Sequence, residues 1–313
     1  MNRKAVIIGA GHVGSHCALQ CAMQGVCREV VLLDCVPGKA AAQAADIADA
    51  LVLTPGAAVV RAGGYSDVPD ADILILSIGM ARKPGQTRLD LLDDSLIMLR
   101  DVTENLNRVG VSGIVISITN PADVIADQAR KALGLPRSRV FSTGTALDTL
   151  RMRRIVAELA GVSPASVQGV CLGEHGDSSV VPFSALTICG LPYYDYKALH
   201  PDWGLDEAFI TERTHQTGMD IIEGKGSTEF GIGAAAAEFV SAVLLDKKQM
   251  LPASVLLSGE YGISGIHIGV PCIIGANGIE EIIELPLRDS EQALLYQSRD
   301  VIAQYAAQAD GRS

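Results

Sequence analysis

Through the first half of the chain, short unbroken runs of Val, Ile and Leu alternate with stretches whose apolar residues recur every three or four positions. "KAVIIGAG" (4–11) reads as a buried strand running into glycines, and "HVGSHCALQCAMQG" (12–25) as a helix with a glycine stop. "EVVLLD" (29–34) is a second strand and the Ala-rich "GKAAAQAADIADALVL" (38–53) a second helix. "DADILILSIG" (70–79) is a third strand, "LDLLDDSLIMLRDVTENLNRVG" (89–110) a long helix, and "GIVISITNP" (113–121) a fourth strand ended by proline. Strands without polar alternation, separated by helices, predict a parallel sheet covered on both faces.

The second half follows another rhythm. "TLRMRRIVAELAG" (149–161) is helical, and residues 167–193 have β character broken by Gly and Pro. Helices are expected over 204–226 and 231–247, and antiparallel strands over 253–285 with "ANG" (276–278) as their turn. A helix from Ser290 to about Gln308 closes the chain. The change of pattern near Ser142 to Thr145 predicts an α/β fold in two parts. A doubly wound parallel sheet occupies residues 1–144, and an α+β domain with antiparallel strands occupies 145–313.

Composition narrows the class. A chain of 313 residues with 48% hydrophobic and 19% charged residues can bury a large core. The formal net charge of −11 argues against nucleic acid or an anionic membrane as partner. Seven cysteines do not read as a disulfide framework, and the first strand begins almost at once. A soluble protein of the reducing cytosol is therefore the expectation.

The glycines carry the first chemistry. Gly9-Ala10-Gly11-His12-Val13-Gly14 matches G-x-G-x-x-G between a strand and a helix, and Asp34 ends the next strand twenty residues past Gly14. Glycine turns after strands are common, but this context and spacing are those of a dinucleotide site. Gly9 permits a tight turn, Gly11 lets the backbone approach a pyrophosphate, and Gly14 lets helix pack on strand. Asp34 can accept from a ribose hydroxyl and would repel a 2′-phosphate; its neighbour is Cys35 rather than arginine. NAD is therefore expected rather than NADP. Gly79, ending the third strand, joins the cofactor set.

His175 lies in "GEHGDSS". A proton-transferring imidazole needs a carboxylate to fix its tautomer, and both Asp177 and Asp148, in "ALDTLR", are candidates. Arg151 follows Asp148 by one helical turn and can grip a carboxylate with two parallel hydrogen bonds. No metal site is expected. Cys17 and Cys21 read as buried helical thiols, and Tyr193-x-x-x-Lys197 as a surface aromatic stretch rather than a catalytic pair.

In this order "GAGHVG", "TNP", "LDTLR", "GEHGDS" and "GKGSTEFG" resemble the L-lactate and L-malate dehydrogenase superfamily over nearly the whole chain, most of all the lactate-dehydrogenase-like malate enzymes. The resemblance implies a Rossmann domain followed by a substrate domain, with hydride passing between NAD and C2 of a small L-2-hydroxy acid. It implies that His175 is the proton donor and acceptor, Asp148 its orienting carboxylate, and Arg151 the anchor of the C1 carboxylate. Arg88 would polarise the keto oxygen from a loop that folds over the substrate, Asn120 would touch substrate and nicotinamide, and Thr228 would line the pocket.

Arg82 matches a position where malate enzymes have arginine and lactate enzymes glutamine. A guanidinium there would pair with the second carboxylate of oxaloacetate and be left unpaired by pyruvate. Malate/oxaloacetate is the favoured substrate pair, with L-lactate/pyruvate or a broader 2-hydroxy acid as the alternative. A non-catalytic NAD-binding sensor is a remote rival, since a sensor needs no proton shuttle beside two arginines. A homo-oligomer is implied, tetramer before dimer.

Overall fold

The computed structural model describes residues 3–79 and 88–311, without the side chains of 88–91. In chain order the first part is β1 (Lys4–Ile8), α1 (His12–Met23), β2 (Glu29–Leu33), α2 (Lys39–Leu51), β3 (Val59–Ala62), β4 (Ile73–Leu76), α3 (Arg88–Val109), β5 (Ile114–Ser117), α4 (Ala122–Leu133) and β6 (Val140–Ser142). These six strands are parallel, in the order β3-β2-β1-β4-β5-β6. That is the dinucleotide-binding order, and the strand sequence reverses between β1 and β4, the switch point at whose carboxyl ends sheets of this kind bind their ligands. β4, "ILIL", and β5, "IVIS", are buried at every position, as strands covered on both faces must be.

The second part comprises α5 (Ala146–Leu159), β7 (Val167–Gln168), β8 (Thr187–Ile188), β9 (Leu191–Pro192), α6 (Tyr193–Leu199), α7 (Glu207–Lys225), α8 (Phe230–Leu244), β10 (Gln249–Ser258), β11 (Ser264–Gly275), β12 (Gly278–Ile282) and α9 (Asp289–Asp310). The meander β10-β11-β12 turns at Ala276-Asn277, as the sequence predicts, and it extends the parallel sheet. β10 pairs antiparallel with β6 through Ser254 and Ser142, giving one sheet of nine strands. β7, β8 and β9 form a small separate antiparallel sheet. The main core surrounds the long sheet. A second apolar cluster, with Met152, Phe183, Tyr193 and Ile210, lies under α5, α6 and α7.

Several expectations change. β3 is an additional strand, so "ILILSIG" is the fourth; β3 is an edge, with Val59 65% exposed, and shows little of a buried strand's pattern. α4 and β6 fill a stretch for which no element was predicted. Residues 122–129 of α4 are buried throughout, two aspartates included, which erases the one-sided periodicity of a surface helix. The β character expected over 167–193 reduces to three two-residue strands and the bridges Leu172–Val180 and Gly173–Gly269. Tyr193 is fully buried at the start of α6 and donates to Leu205 O at 2.9 Å, so the aromatic stretch is core rather than surface. Cys17 and Cys21 are buried in α1, as expected. Among the described residues no helix is long and apolar enough to cross a membrane, and no cluster of three or more His, Cys, Asp or Glu could hold a metal.

Candidate active site

At the end of β1 the glycine loop is set by steric necessity. Gly9 has φ +101°, and a β-carbon there would lie 2.0 Å from Ser77 O; at Gly14 it would lie 1.9 Å from Gly9 O. Only glycine allows β1, α1 and the end of β4 to come this close. At Gly11, by contrast, a β-carbon would meet nothing within 4 Å among the described residues. The loop is thus locked on its protein side and open on the other. Among the described residues no side chain caps the N-terminus of α1, which leaves its first-turn N–H groups available to an anion.

Asp34 accepts from Ala10 N at 2.8 Å and from Val36 N at 2.9 Å, with Lys39 Nζ at 3.4 Å, so it braces the glycine loop. His12 is largely exposed, its Nδ1 3.4 Å from Glu229 Oε2, and Val13 packs on the core. Gly79 is exposed just past β4, at φ +156°. An open Gly11, an uncapped helix N-terminus and an acid at the second strand end fit a dinucleotide without a 2′-phosphate.

The chemical groups meet beyond β5 and β6. His175 Nδ1 lies 2.7 Å from Asp148 Oδ2, so Asp148, rather than Asp177, is the histidine's carboxylate. Asp148 is buried in the first turn of α5, and Arg151 Nη1 lies 3.4 Å from its other oxygen. Burial alone would raise the Asp148 pKa, but His175, Arg151 and His215 outweigh it and hold the carboxyl below its ordinary value. Burial likewise disfavours charge on His175, but Asp148, followed by Asp123, holds its pKa above the ordinary one. Nδ1 is engaged by Asp148, which leaves Nε2 for an incoming group. Arg151 is mostly buried, and its Nε has no hydrogen-bond partner among the described residues.

The loop carrying His175 is tied down on several sides. Gly173 and Gly269 exchange two backbone hydrogen bonds of 2.9 Å, and Glu174 N donates to Ser298 Oγ at 2.7 Å. His175 N donates to Asp123 Oδ2 at 3.1 Å. Asn120 is exposed two residues before α4, the helix that carries Asp123, and its carbonyl accepts from Ser95 Oγ. Thr228 is half-buried between α7 and α8, beside the Glu229 that meets His12 of the cofactor helix.

The structure therefore brings His175, Asp148 and Arg151 into contact. Arg82 lies outside the described residues. Arg88 begins α3, and its side chain is also outside them. Sequence reasoning missed Asp123 and Gly218. A β-carbon at Gly218, in α7, would lie 3.2 Å from both Nη atoms of Arg151. A glycine inside a helix was the available signal.

A family model described as the lactate/malate dehydrogenase NAD binding domain matches residues 3–142, and one for the alpha/beta C-terminal domain matches 145–309. The chain belongs to the lactate/malate dehydrogenase family. It is an NAD-dependent 2-hydroxy-acid dehydrogenase. An L-lactate dehydrogenase of Fusobacterium nucleatum subsp. nucleatum is 42% identical over 93% of this chain and 92% of its own. The ligand-bound crystal structure of a minor L-lactate dehydrogenase from Enterococcus mundtii superposes with a TM-score of 0.94, 37% identity and 98% coverage of each chain. A Cryptosporidium parvum malate dehydrogenase superposes equally well, at 0.94, with 30% identity, 99% of this chain and 100% of that one.

Proposed function

We propose that this dehydrogenase interconverts L-lactate and pyruvate. The single observation that carries the catalytic part is the 2.7 Å contact between His175 and a buried Asp148 whose other oxygen meets Arg151. The relatives named L-lactate dehydrogenase support the substrate. A second reading, malate/oxaloacetate, is favoured by Arg82, whose guanidinium suits a second carboxylate, and by the likeness to a malate dehydrogenase.

NAD, when bound along the glycine loop, supplies or accepts the hydride through its nicotinamide ring. Gly9, Gly11, His12, Val13 and Gly14 would cradle its pyrophosphate, Asp34 would take the ribose hydroxyls, and Gly79 and Asn120 would border the nicotinamide end. Arg151 receives the C1 carboxylate in a bidentate grip that fixes which face of C2 is presented. Charged His175 gives its Nε2 proton to the carbonyl oxygen during reduction and recovers it from the hydroxyl during oxidation. Asp148 holds the tautomer and stabilises the imidazolium. Arg88 stabilises the charge that develops on that oxygen, and Thr228 lines the pocket.

We propose further that residues 1–144 hold the cofactor and 145–313 the substrate, and that the chain works in the cytosol as a homo-oligomer, a tetramer before a dimer. Following NADH absorbance with pyruvate and then with oxaloacetate tests the substrate assignment. Pyruvate should have the higher kcat/KM; preference for oxaloacetate, lost in Arg82→Gln, would establish the second reading.

A further inference from the structure

We infer that Asp123 is a positioning residue for His175. Its buried carboxylate pins the peptide on which the imidazole hangs and sets a second negative charge behind that imidazole. The inference rests on reading His175 as the acid–base group.

Asp123 sits in the first turn of α4 and is 3% exposed. One oxygen accepts the His175 N–H at 3.1 Å; the other is buried with no hydrogen bond among the described residues. Ser254, on β10, is fully buried, and its hydroxyl favours the ionised form of the Asp123 carboxyl. A peptide N–H can be satisfied by a neutral acceptor at far lower cost than by a buried charge. An ionised group in this place contributes what a neutral amide does not, namely a field on the neighbouring ring.

Several charged groups bear on that ring and on its two carboxylates. Asp148 and Arg151 come from α5 and Asp123 from α4; His215 of α7 acts on Asp148, and Glu174, the preceding residue, on Asp123. Both carboxylates favour the charged imidazole and Arg151 opposes it. Asp148 grips the side chain while Asp123 grips the main chain, so the two fix the ring from opposite ends.

The test is the titration of the His175 ring by histidine C–H NMR, its resonance identified by its absence in His175→Asn. Asp123→Asn keeps an acceptor for the peptide and removes the charge, so the midpoint should fall by about half a unit or more. The pH profile of kcat/KM for keto-acid reduction should move the same way, with NADH binding unchanged. Ser254→Ala should give a smaller fall, because loss of the hydroxyl makes Asp123 harder to ionise.

A midpoint unmoved in Asp123→Asn, with activity lowered equally at every pH, overturns the inference. Should that variant not fold, an unmoved midpoint in Ser254→Ala does the same. The NMR midpoint needs no turnover, so a protein inactive on every keto acid would sink the functional reading while leaving this one measurable.

Discussion

Gly218 leaves room for the Arg151 guanidinium. A β-carbon at 218 would approach Nη1 and Nη2 to 3.2 Å, and the arginine would have to yield by a few tenths of an ångström. Glycine within α7 costs roughly 0.5–1 kcal/mol relative to alanine. Gly218→Ala should therefore leave the melting temperature unchanged or raise it, while increasing KM for the keto acid about tenfold and sparing NADH affinity. Steady-state kinetics beside a thermal melt check this; an unchanged KM would mean that Arg151 does not hold the substrate where proposed.

The glycine loop separates folding from cofactor binding. Gly14→Ala forces a β-carbon to 1.9 Å from a backbone oxygen, so the variant should be destabilised as well as unable to bind NADH. Gly11→Ala meets nothing within 4 Å among the described residues and should fold with its parent's melting temperature. It should still weaken NADH at least about tenfold, since the added methyl occupies space the pyrophosphate needs. NADH fluorescence titration of both variants distinguishes the two effects, and normal affinity in Gly11→Ala would place the cofactor elsewhere.

Asp123 should cost stability at neutral pH. Burial, its largest influence, pushes the carboxyl up from 3.8 to about 6, so between those values the folded protein binds more protons than the unfolded chain. Stability attributable to this group falls as pH rises through that window, and above it the penalty, on the order of 2–3 kcal/mol, is complete. Asp123→Asn should thus gain in melting temperature over its parent as pH goes from 4 to 7.5. A deficit that is the same at every pH would contradict the sign.

His175 and Asp148 show what could be read from the chain and what could not. Both were legible as candidates, because each lies in a compact local motif that names its own chemistry. The parallel sheet was legible too, since a strand buried on both faces has no choice but continuous Val, Ile and Leu. Asp123 was hidden because it and His175 are 52 residues apart and meet only through the crossing of α4 under the loop. Its helix was hidden with it: Asp123 and Asp127 occupy buried positions where a pattern of apolar recurrence expects Leu or Val. Tyr193 was misread for a related reason, since its phenol is satisfied by the carbonyl of Leu205, a partner that periodicity does not reveal.

The central claim is that the His175 imidazole, held by Asp148, moves the proton that accompanies hydride transfer. Turnover of pyruvate and oxaloacetate by His175→Asn, measured beside NADH binding by fluorescence, tests it most directly. In this variant kcat should fall at least about 10²-fold for whichever keto acid the parent reduces, with NADH affinity preserved. Near-parental turnover, or loss of NADH binding in a variant that is otherwise folded, would contradict it.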